Sequence, residues 1–462
     1  MGTLAFTNLK KVFTKPTWDI VSLSLPIMSI SLSNSLMIVL DRIIISHYSI
    51  EAMNAIAAAA SAIAPLSFSA WSVASIAEVF VGQTHGAKKH DKVAQPVWQM
   101  VWFSLFLGLL FIPIGIWAGP YVLTDSFAKE GLSYYQLMMS TGFLLPLNVA
   151  LASFFVGRGK VKIITMTAIA GNLVNLCLDL ILIFGVAGIL EPMGTKGAAI
   201  ATITGLLTQT VTLGTLFLRS SDHQNMRNVC KLCWKTLREC ISIGGPNAIN
   251  YLVDMTAWYI LFIIADRMGT CHVTILQIGY SLYTLFYFFP EGLQKGVMIL
   301  SSNAIGQGSP PKIPQILRSS FSTHVLIMFF LTLPLLIFPS HFIKLFLGSE
   351  LDPLAMENIV HHSYTTLVWL WFYFFLESTS LMLIGVLTAA GDTKFIMKMC
   401  LINVWIFLIF PICIFFFFLQ QHPGNIWAFL ACYSLINFSL FYRRYRKGQW
   451  KALIIKSLSS RH

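Results

Sequence analysis

Asn172, Asn175 and Asp179 recur at intervals of three and four, the spacing of one face of an α-helix. A carboxylate with two amides on one face can hold a proton or a hard cation. Asp41, on an earlier hydrophobic stretch, comes within reach of Asp179 if the N-terminal stretches close into a bundle. Two buried carboxylates close together cannot both ionise cheaply, so such a pair can take up and release a proton. With Asn175 and Thr202 added, it also offers Na⁺ an all-oxygen cage. A plainer use of the same residues is hydrogen bonding between helices. A second constellation joins Asp254 to Tyr373 and Glu377, the last two one helical turn apart. Trp258, Tyr259, Trp369, Trp371, Phe372 and Phe374 crowd the same stretches. Acids beside aromatic faces suit an organic cation, through charge pairing and cation–π attraction. Packing against lipid explains most of those rings equally well.

Other ionisable side chains fall inside apolar stretches, where each costs at least about 2.5–3.5 kcal/mol to insert. Glu78, near the end of the second stretch, serves either as a helix anchor or as a gate contact. Glu291 and Lys295 stand one turn apart and can neutralise one another, which favours a structural pair over a transport role. Asp266 and Arg267 lie near an outer end, where they can reach the interface.

The elements that must position these residues are transmembrane helices. Only 11% of the 462 residues are charged, while 56% are hydrophobic, with 36 Phe and 12 Trp. That composition excludes a soluble enzyme, a disordered chain and a nucleic-acid-binding domain. A membrane-spanning helix needs about 20 mostly apolar residues. Twelve stretches meet that need, near 19–46, 52–82, 95–119, 131–156, 161–188, 196–218, 240–266, 272–305, 316–338, 357–389, 395–418 and 424–442. They are too long for barrel strands and lack strict alternation. The fold class is therefore all-α, a polytopic membrane protein of twelve helices.

The net charge of +12 is distributed by side. With twelve spans, 25 of the 31 Lys and Arg fall on one face of the membrane, including Lys10 and Lys11, Lys88 and Lys89, Arg227 and seven in the tail from Arg443. By the positive-inside rule both termini are cytoplasmic. The first span is longer than a signal peptide and has no cleavage site, so it is expected to be retained. The eight cysteines are mostly within spans. Cys230 and Cys233 form a C-x-x-C near Cys240 in the long cytoplasmic loop, but no second pair completes a zinc site; reduced thiols are expected. His47, His85, His90, His324, His361 and His362 sit mainly in loops or at span ends with no pairing among them, so an integral-membrane enzyme is disfavoured. No Gly-rich filter loop suggests a channel.

A shift of 220 residues aligns the two halves without gaps over their first two helices. Ser22 and Pro26 meet Ser242 and Pro246, while Gln83, Gly86 and Lys92 meet Asn303, Gly306 and Lys312. Six spans return the chain to its starting side, so the halves form two six-helix lobes in one orientation. Their expected relation is a pseudo-two-fold axis along the membrane normal, with a cleft between lobes that rock to alternate access. The organisation read from the sequence is an N-terminal lobe at 1–218, a cytoplasmic linker at 219–239, a C-terminal lobe at 240–442 and a basic tail at 443–462. The acids do not follow the repeat: Asp41 meets Leu261, and Asp254 meets Asn34.

Over nearly its whole length the chain resembles the multidrug and toxic compound extrusion (MATE) family. The resemblance is carried by Val81-Gly82-Gln83-Thr84-His85-Gly86-Ala87, by the run from Gly171 to Asp179, and by Gly197-Ala198-Ala199-Ile200-Ala201-Thr202. Gly391-Asp392-Thr393-Lys394 and Leu25-Pro26 add to it. The resemblance implies twelve helices in two lobes that export organic cations against H⁺ or Na⁺, with no other cofactor. It also implies an N-lobe coupling site at Asp41, Asn175, Asp179 and Thr202, and a C-lobe cation site at Asp254, Tyr373 and Glu377 with Asp and Glu exchanged at both acidic positions. Asn303, where the second repeat often has Gln, and Glu291 with Lys295 depart from the pattern. The expected protein is a monomeric efflux antiporter in a prokaryotic plasma membrane, whose partners are the lipid bilayer and a small organic cation. A lipid-linked oligosaccharide flippase of the same superfamily is the alternative.

Overall fold

A computed structural model describes residues 15–123, 125–186, 188–220, 230–337, 353–419 and 425–453. Lys10, Lys11, Arg227 and the tail beyond 453 lie outside the described residues. Helices follow the expected stretches in order: α1 (Lys15–Tyr48), α2 (Ile50–Ala74) continued by α3 (Ala77–Gly86), α4 (Gln95–Trp117), α5 (Asp125–Ser140) continued by α6 (Leu144–Val156), α7 (Val161–Phe184) and α8 (Gly194–Leu218). The second half runs through α9 (Trp234–Met268), α10 (Thr270–Phe286) continued by α11 (Phe288–Gly306), α12 (Ile313–Thr332), α13 (Pro353–Ala389), α14 (Thr393–Asn403), α15 (Phe410–Leu419) and α16 (Asn425–Arg446).

Eleven of the helical runs among the described residues are long and apolar enough to cross a membrane. The twelfth, expected at 272–305, is interrupted at Tyr287. Its second piece opens with Pro290, Glu291 and Lys295, which supply one missing amide donor and two charges. Pro334 and Asn403 mark two further irregularities: π-helical turns at Leu333–Ile337 and Val404–Ile409, the first containing the proline and the second following the asparagine. Leu109, Leu173, Val211 and Phe329 are each more than half exposed on their helices. Such faces are costly in water and suited to lipid.

The chain divides into two compact units. One comprises residues 29–251 and 306–308 and is called the N-unit here; the C-unit comprises residues 1–28, 252–305 and 309–462. Both divisions in the long helices fall shortly after a proline, Pro26 in α1 and Pro246 in α9. In the N-unit, Ile45, Ala59, Phe111, Met139, Ile183 and Ala199 bring α1, α2, α4, α5, α7 and α8 onto one core. Glycine allows α7 and α8 to touch: a Cβ on Gly205 would lie 2.7 Å from the Gly171 carbonyl oxygen and 2.9 Å from Asn175 Cβ. Close approach through small residues is the usual basis of helix packing in lipid. It sets Asn175 and Asp179 against the neighbouring helix one and two turns on.

In the C-unit, Trp258, Leu282, Leu370, Phe374 and Trp427 form one core and Ile20, Leu293, Val386, Phe441 and Trp450 a second. Asp392, in the turn before α14, receives Arg444 of α16 at 2.8 and 3.2 Å. Arg444 also bonds Gln449, and Trp450 stacks on Tyr445, folding the start of the basic tail onto the unit.

Candidate functional site

Asp179 is fully buried on α7, and Asn175 one turn earlier donates its amide to Asp179 Oδ2 at 2.8 Å. The Asp41 carboxyl on α1 lies close enough to Asp179 for the two groups to act on one another. The other oxygens, Asp41 Oδ1 and Asp179 Oδ1, have no N–H or O–H donor among the described residues. A carboxylate can only accept, so a hydrogen bond between the two groups requires a proton on one of them. Tyr134 of α5 is buried beside them, close enough to feel both charges.

The other predicted members sit differently. Asn172 donates to Ser33 Oγ at 3.0 Å and Asn34 Oδ1 at 3.1 Å on α1, and accepts from Gln209 of α8 at 3.4 Å. It joins three helices on the N-terminal side of Asp179 along α7, without a hydrogen bond to the carboxyl pair. Thr202 donates its hydroxyl to the Ala198 carbonyl at 3.0 Å and makes no hydrogen bond to either carboxyl. The arrangement brings together Asp41, Asn175 and Asp179, with Tyr134 in place of Thr202.

In the C-unit, Ser434 donates to Glu377 Oε2 at 2.6 Å. Asp254 lies close enough for its charge and that of Glu377 to act on one another, and both act on the phenols of Tyr283 and Tyr373. Around them stands a set of aromatic rings in mutual contact. Trp258 meets Tyr280 at 4.7 Å and Tyr283 at 5.6 Å between ring centres, and Tyr373 meets Tyr283 at 5.6 Å and Trp427 at 5.8 Å. Phe374 completes the group, 5.7 Å from Tyr283.

Of the six rings expected there, Trp258 and Phe374 belong to this group. Tyr259 and Phe372 point away and are 68% and 45% exposed, Trp369 meets Phe372 with ring centres 6.0 Å apart, and Trp371 donates to Thr332 and stacks on Phe375. Tyr280, Tyr283 and Trp427 were not anticipated. Tyr280 and Tyr283 carry a usable signal, since a spacing of three puts them on one face of α10; Trp427, on a distant helix, carries none.

Glu78 is 2% exposed on α3, and Gly157 after α6 packs onto its carbonyl oxygen. Glu291 and Lys295 occupy successive turns of α11, both half-buried. Asp266 and Arg267 are exposed at the end of α9. Two histidine expectations need correction. His85 and His90 do meet, with ring centres 5.8 Å apart. His324 is not at a span end but buried within α12, its Nε2 3.2 Å from the Phe375 carbonyl oxygen. Among the described residues no three His, Cys, Asp or Glu side chains converge as metal ligands would.

The family model described as MatE matches the chain twice, over residues 26–181 and 246–414, more than half of its length. The chain is 22% identical over 395 residues to a Thermotoga maritima protein named "Probable multidrug resistance protein NorM", covering 84% of this chain and 83% of that one. It is 24% identical over 449 residues to a protein of the same name from Mannheimia succiniciproducens, covering 93% of each. The structure of a MOP superfamily transporter from Pyrococcus furiosus superposes with a TM-score of 0.82 at 16% identity, covering 96% of this chain and 97% of that one.

Proposed function

The chain belongs to the MatE family of membrane transporters, and on that basis we propose that it is a multidrug exporter that moves organic cations outward against an inward flow of protons. Relatives matched over most of their length are named as multidrug resistance proteins, which supports export of toxic compounds. The observation that carries the coupling is the contact between the carboxyl groups of Asp41 and Asp179, with the Asn175 amide fixed on one of them. A proton shared between two such close carboxyls holds them together; without it, two carboxylates repel across the gap between α1 and α7. Loading and unloading the proton therefore changes how α1 is held. A bound ion biases a conformational equilibrium only through its different affinity for the two states, and a contact that requires the proton supplies such a difference.

The substrate's cationic centre would be held in the C-unit by Asp254 and Glu377, with Trp258, Tyr283 and Tyr373 supplying ring faces. Under this reading the protein lies in a prokaryotic cytoplasmic membrane with both termini inside, and moves its substrate without altering it covalently.

The test is ethidium efflux from membrane vesicles with pH and Na⁺ gradients imposed separately. Efflux should follow the pH gradient and disappear in Asp41→Asn and Asp179→Asn at unchanged protein abundance. Efflux driven by Na⁺ alone would reassign the ion, and undiminished efflux in both variants would remove the coupling role from the pair.

A further inference from the structure

Cys230 and Cys233 have no part in transport as described, yet the structure holds them in an unusual setting. They lie in the irregular segment leading into α9, and neither is in a disulfide. One face of α4 clamps that segment. Trp102 Nε1 donates to the Cys230 carbonyl at 2.9 Å and Gln99 Nε2 to the Lys231 carbonyl at 3.1 Å. Gln99 Oε1 accepts the Cys233 amide at 2.8 Å. Gln99 is fully buried, so both ends of its amide are committed to this one stretch.

Cys233 immediately precedes the first residue of α9, Trp234. Its sulfur accepts the Thr236 hydroxyl at 3.5 Å and faces the amide N–H groups of Lys235 and Thr236. Gln95 Nε2 donates to Thr236 Oγ1 at 3.2 Å, which turns the hydroxyl proton towards the sulfur. Together these donors hold the Cys233 thiol below its usual range, with Thr236 contributing most, while burial and Glu239 act the other way. The thiol is half-exposed, and Lys235 and Arg238 on the next turn are exposed. A partly open sulfur at a helix N-terminus, among donors and cations, is the setting of a nucleophilic cysteine.

We propose that Cys233 is a peroxide-reactive nucleophile and Cys230 its resolving partner. The Cys233 thiolate attacks one peroxide oxygen; the S–O bond forms, the O–O bond breaks, and the departing hydroxide or alkoxide takes a proton from solvent. The sulfur is oxidised by two electrons to the sulfenic acid and the peroxide is reduced. Cys230 sulfur then attacks Cys233 sulfur, the S–S bond replaces the S–O bond, and water leaves with the Cys230 proton. Two equivalents of a small thiol restore both cysteines and become its disulfide. The chemistry is independent of the transport reading.

The full-length protein in nanodiscs is treated at pH 7 with iodoacetamide beside free glutathione, and alkylation at Cys233 is followed by peptide mass spectrometry. Cys233 should react roughly fivefold faster than glutathione or more, and Thr236→Val should remove most of that advantage. After hydrogen peroxide, the peptide should contain a Cys230–Cys233 disulfide reversed by dithiothreitol; in Cys230→Ser, dimedone should instead trap a sulfenic acid on Cys233. Alkylation no faster than glutathione would overturn the nucleophile, and dimedone labelling of the unaltered protein without any disulfide would overturn the resolving role.

Discussion

At the residue scale, the proposed function concentrates in a few contacts whose partners can be removed singly. Asn175→Leu keeps the volume of the side chain but deletes the donor to Asp179. A hydrogen bond to a charged group contributes about 1.5–3 kcal/mol, so initial ethidium efflux is expected to fall about tenfold or more at matched abundance. In the C-unit, Tyr283→Leu should weaken binding of a quaternary ammonium by several-fold, in keeping with about 0.5–2 kcal/mol for a cation over a ring. Trp371→Leu, outside the ring group, should leave binding unchanged; tryptophan fluorescence titration distinguishes the two. The sequence made part of this legible. Asp41, Asn175 and Asp179 could be picked out because polar side chains are costly in lipid and because residues four apart share a helix face. Tyr259 was misplaced for the same geometric reason: it follows Trp258 directly, and adjacent residues point about 100° apart. If Trp258 faces the acids, Tyr259 cannot. Tyr134, Ser33 and Asn34 reach their partners across helices, and no spacing along one helix reports such contacts.

At the element scale, the α7–α8 seam has the least tolerance. Gly205→Val would drive a side chain into the Gly171 carbonyl 2.7 Å from its Cβ. Overpacking of this kind costs about 1–3 kcal/mol, and the detergent-solubilised protein should melt several degrees lower. Gly214→Ala, on the same helix but 3.6 Å from the nearest side-chain atom, Leu151 Cδ1, should melt as the unaltered protein does. The places of the spans were readable because apolar length is a strong signal in a membrane protein. Their interruptions were readable only where composition marks them, as Pro290, Glu291 and Lys295 mark the eighth. The π-helical turn after Asn403 contains only apolar residues, Val404–Ile409, so nothing in its composition sets it apart from an ordinary turn. The lengths of α1 and α9, 34 and 35 residues, also exceeded the apolar stretches within them, since their first turns are polar enough to leave the hydrocarbon.

At the scale of the whole molecule, the two matches to the family begin at Pro26 and Pro246, 220 residues apart, which is the offset that aligns the halves. The acids depart from that repeat, so the family match recurs in both halves while the proposed sites differ between units, carboxyl pair in one and ring-lined acids in the other. This division was visible in the sequence, since Asp41 and Asp254 meet Leu261 and Asn34. The ring group was visible only in part, because Trp427 acquires meaning only once α10 and α16 pack together. The contact between Asp41 and Asp179 also has a bioenergetic consequence. If the pair trades one proton per cycle, as the proposed function implies, one proton exchanged for one monovalent organic cation carries no net current. Such an exchange would be electroneutral. Efflux from proteoliposomes should then respond to a pH difference and remain unchanged when the membrane voltage is set with potassium and valinomycin, whereas a dicationic substrate should make the same exchange sensitive to voltage.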